Sequence, residues 1–356
     1  FGSLSMDWRS LIFLNATGRN DIVSSMPTNN RDFFYPSASL SFLASELDAV
    51  KNLEWLSFAK LRFSYAEVGQ AGSYTPNYYD TPNYSGGWWL GFPVQYPVNG
   101  VSSYIPNNTQ YDPNLKPQNT RSYEVGIDLR FFRNRLGIDY TFARQNVVDQ
   151  IFQVPLAGST GVGYLMMNGG KVHTVSHELV LDFSPVAMNN FLWDINLNFS
   201  RINNYVDELA PGVESIYIGG FTIPQVRAGI GSTYPVIYGV SFVRDDQGKI
   251  VVEDDPGSPN HGFPLTGEPD VIGSVSPDFI LGANSTLSFK NVSLNALFEW
   301  KQGGQMYSGS NGLLDLYGMS ARTEDRESTF IFDGVKPDGA PNDIARGGPS
   351  DPGALQ

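Results

Sequence analysis

Strict alternation of apolar and polar residues is the feature of this sequence that most limits its fold. In residues 123–131 the odd positions are Tyr, Val, Ile, Leu and Phe, and the even positions are Glu, Gly, Asp and Arg. After a four-residue turn at 132–135, the alternation restarts at Leu136 and continues to Ala143. Successive side chains of a β-strand point to opposite faces, so the pattern predicts strands with one apolar and one polar face.

The same alternation recurs along the chain and predicts a series of strands. They cover approximately residues 5–16, 37–45, 56–66, 121–131, 136–147, 172–183, 191–203, 278–289 and 292–301. Connections such as 132–135 and 290–291 are short, whereas 17–36 and the loops given below are long. Segments of about ten residues with short turns on one side and long loops on the other are typical of outer-membrane barrels. The predicted fold class is therefore all-β, an antiparallel transmembrane β-barrel.

Composition narrows the function. Charged residues make up 17% of the chain, its net charge is −13, and it has no cysteine, which excludes a disulfide framework and Cys-based metal or redox sites. No stretch approaches the roughly 18 apolar residues of a membrane-spanning helix. The negative charge argues against nucleic acid as a partner, because phosphate binding needs a basic surface.

A soluble β-sandwich also alternates and is the main alternative fold. Its outward face would carry Lys, Glu and Arg, whereas the polar face here is rich in Ser, Asn, Asp and Gly, as suits a water-filled lumen. We predict that one set points at lipid: Tyr123, Val125, Ile127, Leu129, Trp193, Ile195, Leu197, Val292, Leu294 and Phe298. We predict that a second set points into the lumen: Glu124, Asp128, Asp139, Asp194, Asn196 and Asn295.

Several stretches resemble one family of proteins. They are 17–21 with Ser24-Ser25, 34–42, 61–65 with Gly69-Gln70, 114–126, 134–136, 158–161, 191–193, 244–250, 273–277 and Gly303-Gly304. In order along the chain, these segments are similar to the SusC/RagA-type TonB-dependent outer-membrane transporters. One departure is Ser176-His177, where the family has a glycine shortly before the residues that match Glu178-Leu179.

The resemblance implies that residues 1–356 are the C-terminal portion of a large plugged barrel, a class that reaches 22 strands. Long extracellular loops are expected at 67–120, 148–171, 204–277 and 302–356, with the plug domain and the terminal strands outside this chain. Because about nine or ten strands cannot close a barrel of that size, we expect an open sheet in this chain alone.

The implied function is TonB-dependent active uptake of oligosaccharides, or second of oligopeptides, across the Gram-negative outer membrane. The implied partners are a SusD-like surface lipoprotein that acts as a lid, the TonB complex through an N-terminal region absent here, outer-membrane lipid and the substrate. The protein is expected to be a multi-pass barrel without cofactor or enzymatic activity. The alternatives are a passive porin, which a Lys/Arg-rich constriction loop would favour, and a secreted glycan-binding sandwich or adhesin, which would purify without detergent.

The motifs that suggest a metal or catalytic site have simpler explanations as ordinary strand and turn residues. His173 and His177 would share a face only on a helix; on a strand they are about 13 Å apart, too far to chelate one ion. The acidic turns at 245–248 and 253–257 offer oxygen ligands suited to Ca²⁺, but turns are rich in Asp and Gly for backbone reasons alone. No nucleophile motif accompanies the three histidines, so we predict no catalytic and no metal residues.

The loop at 67–120 is the strongest candidate for a binding site. It contains ten aromatic residues, seven prolines and only four charged residues, and structureless loops of this length are uncommon unless they are functional. Aromatic faces give a large contact area at low entropic cost. Three interpretations remain open: contact with the lid or another partner, contact with substrate, and packing of the loop on itself. The predicted binding residues are Tyr78, Tyr79, Tyr84, Trp88 and Trp89.

Overall fold

The structure, a computed structural model, describes most of the chain. It covers residues 1–74, 79–80, 83–84, 94–95, 97, 99–102, 105–210, 212–220, 223–325 and 327–348. The first of two compact units consists of the described residues of 1–216, 229–233 and 278–302. The second consists of those of 217–228, 234–277 and 303–356. Among the described residues, no helix is long and apolar enough to cross a membrane.

Strands dominate the secondary structure. The first ten are β1 (Gly2–Trp8), β2 (Ile12–Ile22), β3 (Asp32–Leu43), β4 (Leu56–Gln70), β5 (Tyr79–Asp80), β6 (Asn83–Tyr84), β7 (Val94–Gln95), β8 (Ile105–Pro106), β9 (Thr109–Tyr111) and β10 (Gln118–Phe131). They are followed by β11 (Leu136–Pro155), β12 (Tyr164–Met188), β13 (Phe191–Glu208), β14 (Ser215–Gly220), β15 (Gln225–Gly229), β16 (Val236–Gly239), β17 (Asp270–Ser274), β18 (Pro277–Phe289), β19 (Val292–Gly303), β20 (Thr329–Phe330) and β21 (Arg346–Gly347). The helices are α1 (Asp48–Lys51), α2 (Gly309–Leu316) and 3₁₀ turns at Thr28–Asn30, Ala44–Glu46, Gly158–Thr160 and Ala321–Thr323.

A single large antiparallel sheet forms most of the first unit. Its strand order is β1-β2-β3-β4-β10-β11-β12-β13-β18-β19, with β9 paired in parallel to β12. Each strand in this path is hydrogen-bonded to the strand that follows it in that order, which is the up-and-down arrangement that the alternating segments predict. The antiparallel sheet of the predicted all-β fold is thus confirmed.

The register of the sheet keeps like side chains on one face. Val125 lies opposite Phe63 of β4 and Phe142 of β11, whereas Glu124 lies opposite Ser64 and Ala143. The same parity continues across β12, β13 and β18, where Leu197 pairs with Leu181 and Ala283 and Asn196 pairs with Asp182 and Asn284. The predicted apolar and polar sets therefore lie on opposite faces of the sheet.

The large sheet is open in the described part of the chain. β1 is hydrogen-bonded to β2 at one end of the strand order, and β19 to β18 at the other. Residues 5–16 are therefore not paired with 292–301, as expected for a portion of a larger barrel. All twelve residues of β19 are exposed, and these include Val292, Leu297 and Phe298, with 70%, 77% and 62% of their surface accessible.

The predicted strand at 5–16 is wrong, because this segment is a hairpin. β1 and β2 meet at a tight turn, in which Trp8 pairs with Ile12. Arg9 and Ser10 adopt left-handed backbone conformations with φ of 54° and 55°. For a residue other than glycine, that conformation is unfavourable by roughly 1–2 kcal/mol. The pairing of β1 with β2 therefore stabilises the turn, rather than the conformational preferences of the turn residues.

Several other strands are longer than predicted. The segment 148–171, predicted as a loop, is mostly strand: β11 extends to Pro155 and β12 begins at Tyr164, with Pro155 opposite Tyr164. A bulge between Val147 and Gln150 breaks the alternation there, since an inserted residue shifts the side-chain phase. β18 and β19 agree with their predicted ranges to within two residues, because Lys290 and Asn291 separate them cleanly.

The strands of the second unit are short, and β14, β15, β16 and β17 form a four-stranded sheet in that order. β15, β16 and β17 pair in antiparallel order. Val251, Val252 and Val335 are buried. The backbone N–H of Val252 donates a hydrogen bond to the carbonyl oxygen of Val335. Lys336 contacts Asp343 at 2.7 Å and Asp254 at 3.6 Å. Hydrogen bonding and charge raise the pKa of Lys336 and lower that of Asp343. The predicted loops 204–277 and 302–356 therefore contain ordered elements.

Candidate functional site

The polar face of the large sheet forms the candidate site. Side chains from neighbouring strands line an open depression of about 500 Å³ on this face. Its lining includes Ser39, Ser41, Arg62, Ser64, Glu124, Thr141, Gln145, Ser176 and Glu178. Hydroxyl, amide and carboxylate groups predominate, so this surface can donate and accept hydrogen bonds over several strands.

Arg62 connects three strands at the centre of this face. Its Nη2 donates to Asp139 Oδ1 at 2.5 Å and to Thr141 Oγ1 at 3.1 Å, both on β11. The side chain reaches them across β10 at Gly126, where a Cβ atom would lie 2.8 Å from the Arg62 guanidinium. A side chain at 126 would make the flexible end of Arg62 shift, so glycine at this position leaves the space through which Arg62 reaches β11.

Negative charge exceeds positive charge on this face. In the rows from Glu124 to Arg130 across β4 and β10–β13, the register places carboxylates and cations on the same side of the sheet. The carboxylates are Glu124, Asp128, Asp139, Glu178 and Asp182, and the cations are Lys60, Arg62 and Arg130. Anionic ligands are disfavoured by such a surface, whereas neutral ones with many hydroxyl or amide groups are compatible with it.

Near the short turns, a ladder of amide and carboxylate groups continues the polar face. Asn196 donates to Asp182 at 2.7 Å, and Asn198 donates to Asn196 at 2.6 Å. On the far side of β18, Asn295 Nδ2 donates to Asn284 at 2.7 Å and to Thr286 at 2.8 Å. These bonds join side chains of neighbouring rows on the same side of the sheet, so the predicted lumenal residues Asn196 and Asn295 lie on one face.

Only two of the five residues of the predicted aromatic site, Tyr79 and Tyr84, are among the described residues. Tyr78, Trp88 and Trp89 lie outside the described residues. Tyr79 belongs to β5, which pairs with β8, and Tyr84 belongs to β6, which pairs with β7. The sequence-based prediction of these five residues as a binding site therefore stays a prediction.

The two ends of the same loop contact each other and the segment before β3. Tyr74 and Tyr111 meet edge to face with ring centroids 5.9 Å apart. Leu115 is fully buried, and the Asn30 side chain donates to the carbonyl oxygens of Asn114 and Leu115. For these residues at the ends of the loop, the interpretation as packing within the protein therefore holds.

His173, His177 and the acidic turn at 245–248 have partners within the protein. His173 Nδ1 lies 2.8 Å from the Asp207 carboxylate, and His177 Nδ1 lies 2.8 Å from the Tyr140 hydroxyl. Asp245 Oδ1 accepts hydrogen bonds from the backbone of Gln247 and Lys249, which is ordinary turn chemistry. Among the described residues, no group of three or more His, Asp or Glu side chains could hold a metal ion.

Sequence reasoning assigned Asp139 to the polar face but missed Arg62, which donates a hydrogen bond to it. Arg62 occupies a polar-phase position of a predicted strand, and Gly126 occupies one of another. A glycine inside a strand often marks close approach of another group, a signal that could have indicated a neighbour above Gly126. The identity of the neighbour depends on strand register, which the spacing alone does not fix.

The family whose description reads "TonB dependent receptor-like, beta-barrel" matches residues 1–296. The TonB-dependent receptor P3 of Formosa agariphila is 27% identical over 86% of this chain and 32% of that protein. The TonB-dependent receptor SusC of Bacteroides thetaiotaomicron is 23% identical over 83% of this chain and 30% of that protein. The chain thus spans about a third of the length of the curated relatives it matches.

Among solved structures, the RagAB peptide transporter has a similar fold. The TM-score is 0.68 with 19% sequence identity, over 85% of this chain and 33% of that chain. A second RagAB structure, described as the peptide importer in the "closed-closed" state, gives a TM-score of 0.66. At this level of identity the likeness establishes a common sheet architecture.

We predict a small coupling between Arg62 and Asp139. Both side chains are about one-third exposed, 37% and 36%, and exposed ion pairs contribute about 0.2–1 kcal/mol. A double-mutant cycle of Arg62→Gln and Asp139→Asn, read from urea unfolding, should give a coupling of less than about 1 kcal/mol. A coupling above about 3 kcal/mol would show a buried, desolvated pair and contradict an open, wet face.

Proposed function

The chain belongs to the TonB-dependent receptor-like β-barrel family, and from this premise we propose that it forms part of the wall of an outer-membrane importer. The single observation that supports this most is the two-faced sheet. One face presents an apolar surface suited to lipid, and the other a polar surface suited to a hydrated lumen. Import would be active, driven through TonB, in the Gram-negative outer membrane.

The polar face supports an oligosaccharide as the first choice of substrate. Rows of Ser, Thr and Asn side chains can exchange hydrogen bonds with sugar hydroxyls, and the carboxylates disfavour anionic substrates. An oligopeptide is the second choice, since amide ladders also match peptide groups. The RagAB structures are described as a peptide transporter and importer, which is a property of those proteins.

A SusD-like surface lipoprotein is the proposed lid, and the TonB complex the proposed source of energy. The similarity of this chain to SusC and to the RagAB structure supports the proposal of these two partners. The plug and the TonB-contacting segment would lie in parts of the protein outside this chain. In the proposal the barrel itself supplies the wall and the extracellular loops, and it carries out no catalysis.

Energy dependence of uptake separates this proposal from a passive porin. In cells that produce the complete protein, uptake of a fluorescently labelled oligosaccharide should fall at least tenfold after deletion of the gene or of tonB, and after addition of a proton uncoupler. The physical reason is that opening a plugged lumen requires energy, which TonB would transmit from the proton gradient across the inner membrane. Uptake that persists after loss of TonB would contradict active import and favour the porin.

The aromatic loop is the proposed contact for the lid or the substrate. We expect the double substitution Trp88→Ala and Trp89→Ala to reduce lid association or uptake several-fold, because large aromatic side chains dominate such contacts. Co-purification of the lipoprotein and uptake rate are the measurements. Tyr74→Ala and Tyr111→Ala, which remove an internal contact of the same loop, serve as the matched control. Normal uptake and lid binding in the Trp88/Trp89 variant would leave self-packing as the role of the loop.

A further inference from the structure

Exposed cations occupy three tight turns at one end of the large sheet. Arg9 lies between β1 and β2, Arg133 between β10 and β11, and Lys290 between β18 and β19. All three residues are exposed. Because the strands run antiparallel in the order β1-β2-β3-β4-β10-β11-β12-β13-β18-β19, these turns share one end of the sheet. They are called the basic turns below.

Turn geometry does not explain the basic side chains. Arg9, Arg133 and Lys290 have φ of 54°, 58° and 52°, a left-handed conformation that glycine and asparagine adopt at lower cost. Asparagine stands directly after the cation in two of the turns, at Asn134 and Asn291. A side chain that suits the turn less well thus occupies each position, and the turn conformation leaves its presence unexplained.

Internal ion pairs do not explain them either. Within the described residues, the ten ion pairs of the structure involve other cations, such as Arg62 with Asp139 and Arg130 with Asp128. The chain carries 36 acidic side chains against 23 basic ones, so partners are abundant elsewhere. Three cations facing solvent at one rim are therefore available to an external anion.

Aromatic rings adjoin each basic turn. The Arg9 guanidinium lies 5.2 Å from the centre of the Trp8 ring, and the Lys290 ammonium 5.4 Å from that of Phe289. Beside Arg133, the rings of Phe131 and Trp55 stack with centroids 5.9 Å apart. Amphipathic aromatic rings next to basic side chains are typical of the boundary between hydrocarbon and headgroups.

The spacing of the basic turns matches a surface rather than a single small ligand. Each is four strand positions from the next in the sheet order, which is about 19 Å at 4.8 Å per strand. One phosphate ion cannot bridge that distance. Separate headgroups distributed along a bilayer leaflet can contact all three.

We propose that the basic turns bind the phosphate groups of anionic glycerophospholipids in the leaflet at the short-turn end of the barrel. The acyl chains of these lipids lie along the apolar face, next to Leu129, Leu181 and Leu197, which the register places in one row. This inference rests on the proposed function, because it requires the apolar face to be in a bilayer. It adds a lipid preference that the transport role does not itself require.

The test compares lipid binding by native mass spectrometry. The complete protein, purified in detergent, is titrated with phosphatidylglycerol or with phosphatidylcholine of the same acyl chains. For the triple variant Arg9→Asn, Arg133→Asn and Lys290→Asn, the affinity for each bound phosphatidylglycerol should weaken roughly fivefold, since each headgroup meets one basic turn and one interfacial cation contributes roughly that factor. Phosphatidylcholine binding should stay unchanged. Because asparagine suits a left-handed turn, the unfolding midpoint should not fall.

Two controls make the result specific to the basic turns. The charge-conserving variant Arg9→Lys, Arg133→Lys and Lys290→Arg should retain phosphatidylglycerol binding. So should Lys116→Asn, Lys249→Asn and Lys301→Asn, which removes three exposed cations away from these turns. Glycerol 1-phosphate, which has the headgroup phosphate without acyl chains, should not displace the lipid at equal concentration.

Unchanged phosphatidylglycerol affinity in the asparagine variant would overturn the inference, and so would an equal loss in the Lys116/Lys249/Lys301 control. Displacement by glycerol 1-phosphate would also overturn it, in favour of a site for free phosphate. A wild-type protein that fractionates without detergent would end the proposed function and this inference together. Membrane insertion without lipid preference would end only the inference.

Discussion

In-register hydrogen bonding between antiparallel neighbours is the constraint on which the rest of the structure depends. Since side chains alternate with a period of two, each pair in register transmits the parity of one strand to the next. Val125 stands between Phe63 and Phe142 for this reason, and Arg62 can cross Gly126 to reach β11. A slip of one residue in β10 would move all of its apolar side chains to the polar face. The strand register therefore also determines which side chains lie on the polar face.

Much of this fold could be predicted from alternation, and the exceptions have local causes. β18 and β19 were predictable because Lys290 and Asn291 interrupt the pattern between them. The hairpin of β1 and β2 was not, because its turn leaves the parity unbroken: apolar residues continue at even positions from Leu4 through Trp8 and Ile12. The turn also lacks the Gly or Asn that usually signals one. In β11 the bulge reversed the phase, so the strand seemed to end early.

The candidate site was predictable as a face but not as a set of contacts. Sequence parity assigns Glu124, Asp139 and Asn196 to the polar side, and the structure agrees. The bond between Arg62 and Asp139 joins residues 77 positions apart, and only the sheet order brings them together. The aromatic loop illustrates the opposite case. Its composition favours binding, but the partner of Trp88 and Trp89 depends on surroundings that composition does not encode.

Solvent access along β13 tests the central claim, that one face of the sheet meets lipid and the other meets water. The chain has no cysteine, so single cysteines at positions 193–200 of the complete protein, spin-labelled in lipid vesicles, report without background. The account predicts that even positions are reached by a water-soluble relaxation agent and odd positions by oxygen dissolved in lipid, with a period of two. Equal access of the aqueous agent to Leu197 and Asn198 would contradict it.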